Sequence, residues 1–144
     1  MTTYDENELL ISTEKSKLNL DTIMGFLAKS YWANKRSPDK MKMAIENSIC
    51  YGVYIGDKQI GFARVVTDHA TMYWLADVFV DEAYRGQNIG KQLIETITTS
   101  PELKNLMGVL GTRDAHGLYE QYEFNRDQER FMRRMPDYLR NLER

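Results

Sequence analysis

Three runs rich in β-branched and aromatic residues follow one another in this chain: Ile49 to Ile55, Ile60 to Val66 and Met72 to Val80. Only Gly56-Asp57-Lys58-Gln59 separates the first two, and Thr67-Asp68-His69 supplies polar turn residues before the third. A parallel pair needs a crossover of about a dozen residues or more, so gaps this short force an antiparallel meander. The third run leads through a polar, glycine-containing loop into Ile89 to Thr99, where Ile89, Leu93, Ile94 and Ile97 share one helical face. Met107 to Gly111 then reads as another strand. Strand, helix and strand in that order make a right-handed crossover between parallel strands. The predicted fold class is α/β with a mixed sheet: an antiparallel meander, then a parallel β-α-β step, with helices on both faces.

The remaining elements are shorter. Glu8 to Thr13 is a strand candidate, and Leu20, Ile23, Met24, Leu27 and Tyr31 recur at helical spacing with Asp21 in the first turn. A second helix has Ser37 as its cap and Pro38 at its first position, with Met41, Ala44, Ile45 and Ser48 on one face. Ala115 to Tyr122 is a short helix, and Phe131-Met132 a last strand before a charged tail. At 144 residues without repeats, residues 1–144 are expected to form a single domain.

Composition removes several function classes. Nineteen Lys and Arg against 21 Asp and Glu give a formal charge of −2, where a protein that neutralises phosphates is usually basic, so no nucleic-acid partner is expected. Cys50 and the two histidines, His69 and His116, fall short of the roughly four ligands of a structural zinc site, so no metal is expected. Cys50 stands alone in an apolar stretch and reads as a buried small hydrophobe in a reducing compartment. No apolar run approaches the roughly 18 residues of a membrane span, and MTTYDENELL is not the basic-then-apolar start of a secretory leader. A cytoplasmic protein without a membrane partner is the default expectation.

Chemistry concentrates in Val78-Phe79-Val80-Asp81-Glu82-Ala83-Tyr84-Arg85-Gly86-Gln87-Asn88-Ile89-Gly90-Lys91. A strand ends, and a loop with Gly86 and Gly90 opens directly into a helix. Free amides at a helix N-terminus suit a phosphate or pyrophosphate, although a plain strand-to-helix turn also uses glycine. Two familiar phosphate motifs fail. The P-loop needs a longer gap between its glycines and a Ser or Thr after the Lys, where Gln92 stands; the dinucleotide fingerprint needs glycine where Asn88 stands.

Arg85-Gly86-Gln87-Asn88-Ile89-Gly90 resembles the acetyl-CoA loop of the GNAT superfamily of N-acetyltransferases, Arg/Gln-x-x-Gly-x-Gly/Ala, with Asn88 in place of a glycine. Asparagine tolerates left-handed backbone better than most residues, so the loop shape can survive. Leu110-Gly111-Thr112-Arg113-Asp114-Ala115-His116-Gly117-Leu118-Tyr119-Glu120-Gln121-Tyr122-Glu123-Phe124 is similar to the family's second motif, with Glu123 for its glycine and Thr112 where many members have asparagine. The resemblance runs from Glu8 to about Met135.

The resemblance implies an acetyl-CoA-dependent transfer of an acetyl group to a primary amine of a small molecule or peptide. Backbone of Val78, Phe79 and Val80 would hold the pantetheine arm, and amides of Gln87, Asn88, Ile89, Gly90 and Lys91 the pyrophosphate, with Gly86 shaping the loop. Arg85 and Lys91 would add charge, or are solvated surface cations. Tyr119 would be the proton donor to the departing thiolate, with Tyr122 as a packing aromatic. Asp77, an acid inside an apolar strand, is a general-base candidate if burial raises its pKa, or else it caps a turn or faces solvent. Asp68, His69 and His116 are weaker base candidates. Tyr31 and Trp32 would line the acceptor pocket, or are core aromatics. A homodimer is compatible with the superfamily. Two other readings compete: a non-catalytic acyl-CoA-binding regulatory module on the same fold, and an interaction domain with no affinity for CoA.

Overall fold

The computed structural model describes residues 8–140; residues 1–7, most of the acidic opening segment, and the last four residues lie outside them. Five strands form one sheet in the order β1 (Leu9–Ser12), β2 (Ile49–Ile55), β3 (Lys58–Thr67), β4 (Met72–Val80), β5 (Met107–Leu110). The first four pair antiparallel and β4–β5 is parallel. This is the mixed sheet expected from the sequence. The β2–β3 turn is tighter than expected, since Ile55 already pairs with Lys58 and leaves only Gly56, at φ +58°, and Asp57 outside the ladder.

Helices α1 (Leu20–Ala28) and α2 (Pro38–Glu46) cover one face, where Ile23, Phe26, Leu27 and Met41 pack with Cys50, Phe62 and Phe79. Asn19 caps α1 by accepting from the Thr22 amide, and Ser37 caps α2 by accepting from the Lys40 amide ahead of Pro38. Helix α3 (Ile89–Thr99) lies on the other face with its four predicted apolar residues fully buried. Burying each such side chain contributes about 1.5–3 kcal/mol. The short α4 (His116–Glu120) joins this second core through Tyr119, and α5 (Asp137–Arg140) follows near the end of the described chain.

Three expectations are corrected. Helix α1 stops at Ala28, so Tyr31 lies in the connection to α2 and not on the helix. Helix α4 is shorter than the expected 115–122 span. Phe131 and Met132 form no strand. Two apolar residues between arginines cannot sustain a ladder, and Phe131 instead stacks its ring on Trp74 with centroids 5.9 Å apart.

Candidate active site

The site is organised by a single extra residue in β4. Phe62 pairs with Phe79, but Arg64 pairs with Ala76, so one residue of β3 stands opposite two of β4, Asp77 and Val78. Asp77 takes up the excess with φ +54°, a β-bulge that costs about 1–2 kcal/mol in a non-glycine residue. A slip of one residue reverses the faces of everything beyond it. Tyr73 and Leu75 therefore point into the α3 core, whereas Phe79 points into the α1 core and Val78 and Val80 turn toward α3. The β4–β5 ladder ends at Leu75–Leu110, immediately before the bulge. From Ala76 to Val80 the β5 side of β4 carries no strand, and the two strands are free to diverge there.

Asp77 is 5% exposed and sits at the centre of a charge cluster. Its Oδ2 accepts from Arg36 Nη1 and from Arg64 Nε, both at 2.7 Å, and its Oδ1 accepts from Trp32 Nε1 at 2.9 Å. From the sequence, burial is expected to raise this pKa. Desolvation does push that way and is the largest single influence, but the two guanidinium groups together outweigh it and hold the carboxyl below its ordinary range. Asp77 is thus an anchor held in its ionised form at neutral pH with both oxygens engaged, a poor proton acceptor.

Beyond the bulge, the chain turns through a 3-10 segment, Glu82–Tyr84, into the loop before α3. Gly86 (φ +82°) and Asn88 (φ +64°, ψ +15°) both take the left-handed region, so asparagine supplies the backbone shape that glycine gives elsewhere. The Asn88 side chain does not cap the helix. Ile89, Gly90 and Lys91, whose amides are orphan donors of the first turn, line a concave site of about 310 Å³ together with Val80, Tyr84, Arg85, Gly86, Asn88 and Leu118. A Cβ at Gly90 would meet nothing within 4 Å, so the approach to this turn is open. Lys91 is exposed on it. Arg85 folds back instead: its Nε donates to the Val80 carbonyl at 3.1 Å and its guanidinium lies 5.0 Å from the Phe79 ring centre.

Tyr119 is 9% exposed, edge-on to Phe124 at 6.0 Å. Burial, and then the nearby Tyr31 and Asp114, push its phenol up to about 12. Tyr122 does more than pack, because its hydroxyl donates to the Lys91 carbonyl at 3.0 Å and ties the end of α4 to the first turn of α3. The weaker base candidates separate. Asp68 and His69 lie in the β3–β4 turn, at the opposite end of β4 from the loop, where Asp68 accepts from the Thr71 hydroxyl and amide and the Ala70 amide and is held well below the carboxylate range. His116 opens α4.

Comparison with known proteins decides the family. A family model described as "Acetyltransferase (GNAT) domain" matches residues 46–126, more than half of the chain. The chain belongs to the GNAT acetyltransferases. A solved structure from Xanthomonas campestris pv. campestris, described as belonging to the GNAT family, is 34% identical and superposes with a TM-score of 0.85, covering 89% of this chain and 93% of its own. A Deinococcus radiodurans R1 structure shares the fold at 18% identity, with a TM-score of 0.75 over 99% of this chain and 97% of that one. A Gibberella zeae protein carrying a provisional acetyltransferase name is 24% identical over 72% of each chain.

Within this GNAT fold, three arginines escape a reading by sequence pattern. Arg36, Arg64 and Arg113 look like solvated surface charges, because the partners of Arg36 and Arg113 lie 41 and 82 residues along the chain and that of Arg64, across the β3–β4 hairpin, comes within reach only through the bulge. Arg36 and Arg64 close on Asp77. Arg113 donates its amide to the Tyr31 hydroxyl at 3.0 Å and lays its guanidinium 3.8 Å from the Tyr31 ring centre. Tyr31 in turn meets Trp32 edge-on at 5.1 Å. The connection between α1 and α2 is thereby fastened both to the bulge and to the loop that follows β5.

Proposed function

We propose that this GNAT protein is an acetyl-CoA-dependent N-acetyltransferase acting on a primary amine by direct attack in a ternary complex. One observation carries the reading. The β4–β5 ladder stops at Leu75–Leu110, just before the bulge at Asp77, with an uncapped helix N-terminus and the buried phenol of Tyr119 among the elements that follow. The β5-facing edge of Ala76 to Val80, which includes Val78, Phe79 and Val80 and has no partner strand beyond the Leu75–Leu110 pair, is matched to an amide-bearing pantetheine arm. The first-turn amides of α3, with Lys91 beside them, are matched to a pyrophosphate. Arg85 supports the loop by binding the Val80 carbonyl, and its remaining donors add positive charge at the mouth.

Bound acetyl-CoA supplies a thioester carbonyl for attack and a thiolate leaving group. The amine nitrogen bonds to the acetyl carbon, the carbon–sulfur bond breaks, and the surplus proton of the nitrogen ends on the sulfur. Tyr119 at about 12 is a weaker acid than a thiol at about 8.5. Its part is therefore a hydrogen bond to the departing sulfur, with any proton it gives returned from the nitrogen. Asp77 holds the Arg36–Arg64–Trp32 assembly in place and takes no proton.

Calorimetric titration with acetyl-CoA and with acetyl-pantetheine, followed by thiol release over a panel of primary amines, tests the reading. Tight binding that needs the pyrophosphate, with thiol release that needs an amine, is expected. Equal affinity for both donors would remove the loop assignment. Binding without transfer to any amine would leave an acyl-CoA-sensing module.

A further inference from the structure

Arg113 has an unusual setting for an exposed arginine. Its guanidinium carbon lies over the Tyr31 ring, 3.8 Å from the ring centre, while its own amide donates to the Tyr31 hydroxyl. None of the described residues accepts a hydrogen bond or forms an ion pair with that guanidinium, so its donors are left for a ligand on an exposed residue braced by an aromatic ring. Stacking on an aromatic ring pre-orders the planar fork, which then loses less freedom on meeting a ligand. Tyr31 and Asp114 both lie near enough to Tyr119 to act on its phenol, so this platform stands beside the reacting end of the proposed site.

The charge balance around it is specific. Arg36, Arg64 and Arg113 stand against Asp77 and Asp114, and both oxygens of Asp77 are taken by Arg36, Arg64 and Trp32. What is left over is one outward guanidinium, Arg113, next to one exposed carboxylate with no ion-pair partner among the described residues, Asp114. A cation and an anion on consecutive exposed residues complement the carboxylate and the ammonium of a zwitterion. A carboxylate matches the guanidinium fork in a bidentate pair.

We propose that Arg113, braced on Tyr31, recognises a carboxylate of the acceptor, and that the acceptor is a small amino acid-like molecule bearing both amine and carboxylate. This rests on the transfer reading above and names its substrate class. The test uses matched probes with and without the carboxylate: phenylalanine against phenethylamine, methionine against 3-methylthiopropylamine, β-alanine against ethylamine. Thiol release gives kcat/KM for each, and calorimetry on the CoA-saturated protein gives binding without turnover. The wild type is expected to prefer the carboxylate member of at least one pair by tenfold or more. Arg113→Gln should raise KM for that member by about 10–100-fold, the scale of a hydrogen bond to a charged group, and collapse the preference ratio. Arg113→Lys should restore it only in part, because lysine cannot form the fork.

Acetylation of both members of every pair at equal efficiency would overturn the inference and leave the transfer reading intact. So would a preference that survives Arg113→Gln. Arg113-dependent binding of the amino acids without thiol release would do the reverse, supporting carboxylate recognition and removing transfer. No binding and no release with any probe would overturn both.

Discussion

Arg36, in the connection between α1 and α2, donates from Nη1 to Oδ2 of Asp77 at 2.7 Å and so ties that connection to the bulge of β4. Arg64, on β3, reaches the same oxygen at the same distance. Two charges held by one buried carboxylate make the position asymmetric: the trio is satisfied as a unit and costly when the acid alone is removed.

Asp77→Asn keeps the shape and a residue tolerant of φ +54°, but strips the charge. The expected loss is about 3–5 kcal/mol of stability at neutral pH. Because the folded pKa of Asp77 is lowered, its contribution is complete above the ordinary carboxylate value of about 3.9 and is lost as pH falls below that through the folded value. Thermal midpoints of the two proteins should therefore converge below about pH 4. A gap independent of pH would mean that the ion pairs contribute nothing.

Asn88 is a milder case. Its side chain caps nothing and its backbone is left-handed. Asn88→Gly should leave stability and acetyl-CoA affinity unchanged or slightly raised, whereas Asn88→Ala should lose about 1 kcal/mol to backbone strain. Chemical denaturation checks the first quantity and calorimetry the second. A large loss of affinity in Asn88→Gly would show that the amide side chain itself contacts the donor.

The pH profile follows from Asp77 and Tyr119, the two perturbed groups of the proposed site. Asp77 titrates below the carboxylate range and Tyr119 near 12, so neither produces a limb near neutrality. The rise of kcat/KM with pH should follow the pKa of the amine itself, moving when a less basic amine is substituted. A limb fixed at one pH across amines would reveal a side-chain base.

What could be read from sequence was whatever has a local period or a local gap. The buried face of α3 is written in Ile89, Leu93, Ile94 and Ile97, and the meander in the shortness of its turns. The loop was legible because glycine and asparagine mark backbone shape directly. The bulge was not: a single added residue leaves alternation intact on either side, and Asp77 betrays it only as an acid among apolar neighbours. The arginines were illegible for another reason. Arg36 lies 41 residues from the carboxylate it binds, and Tyr31 lies 82 from Arg113, so no spacing rule connects them.

The division of labour at the bulge is tested most directly by single-turnover transfer. Wild-type protein and Tyr119→Phe are each saturated with acetyl-CoA, mixed rapidly with a competent amine, quenched, and the acetylated amine counted. The wild type should form one acetylated amine per thiol released. The variant should be slower by about 10²–10³, the scale of one lost hydrogen bond to developing charge, with acetyl-CoA affinity unchanged because the ring and its packing against Phe124 remain. Equal rates would make Tyr119 a packing residue only. A wild type that binds acetyl-CoA yet forms no acetylated amine would contradict the account as a whole.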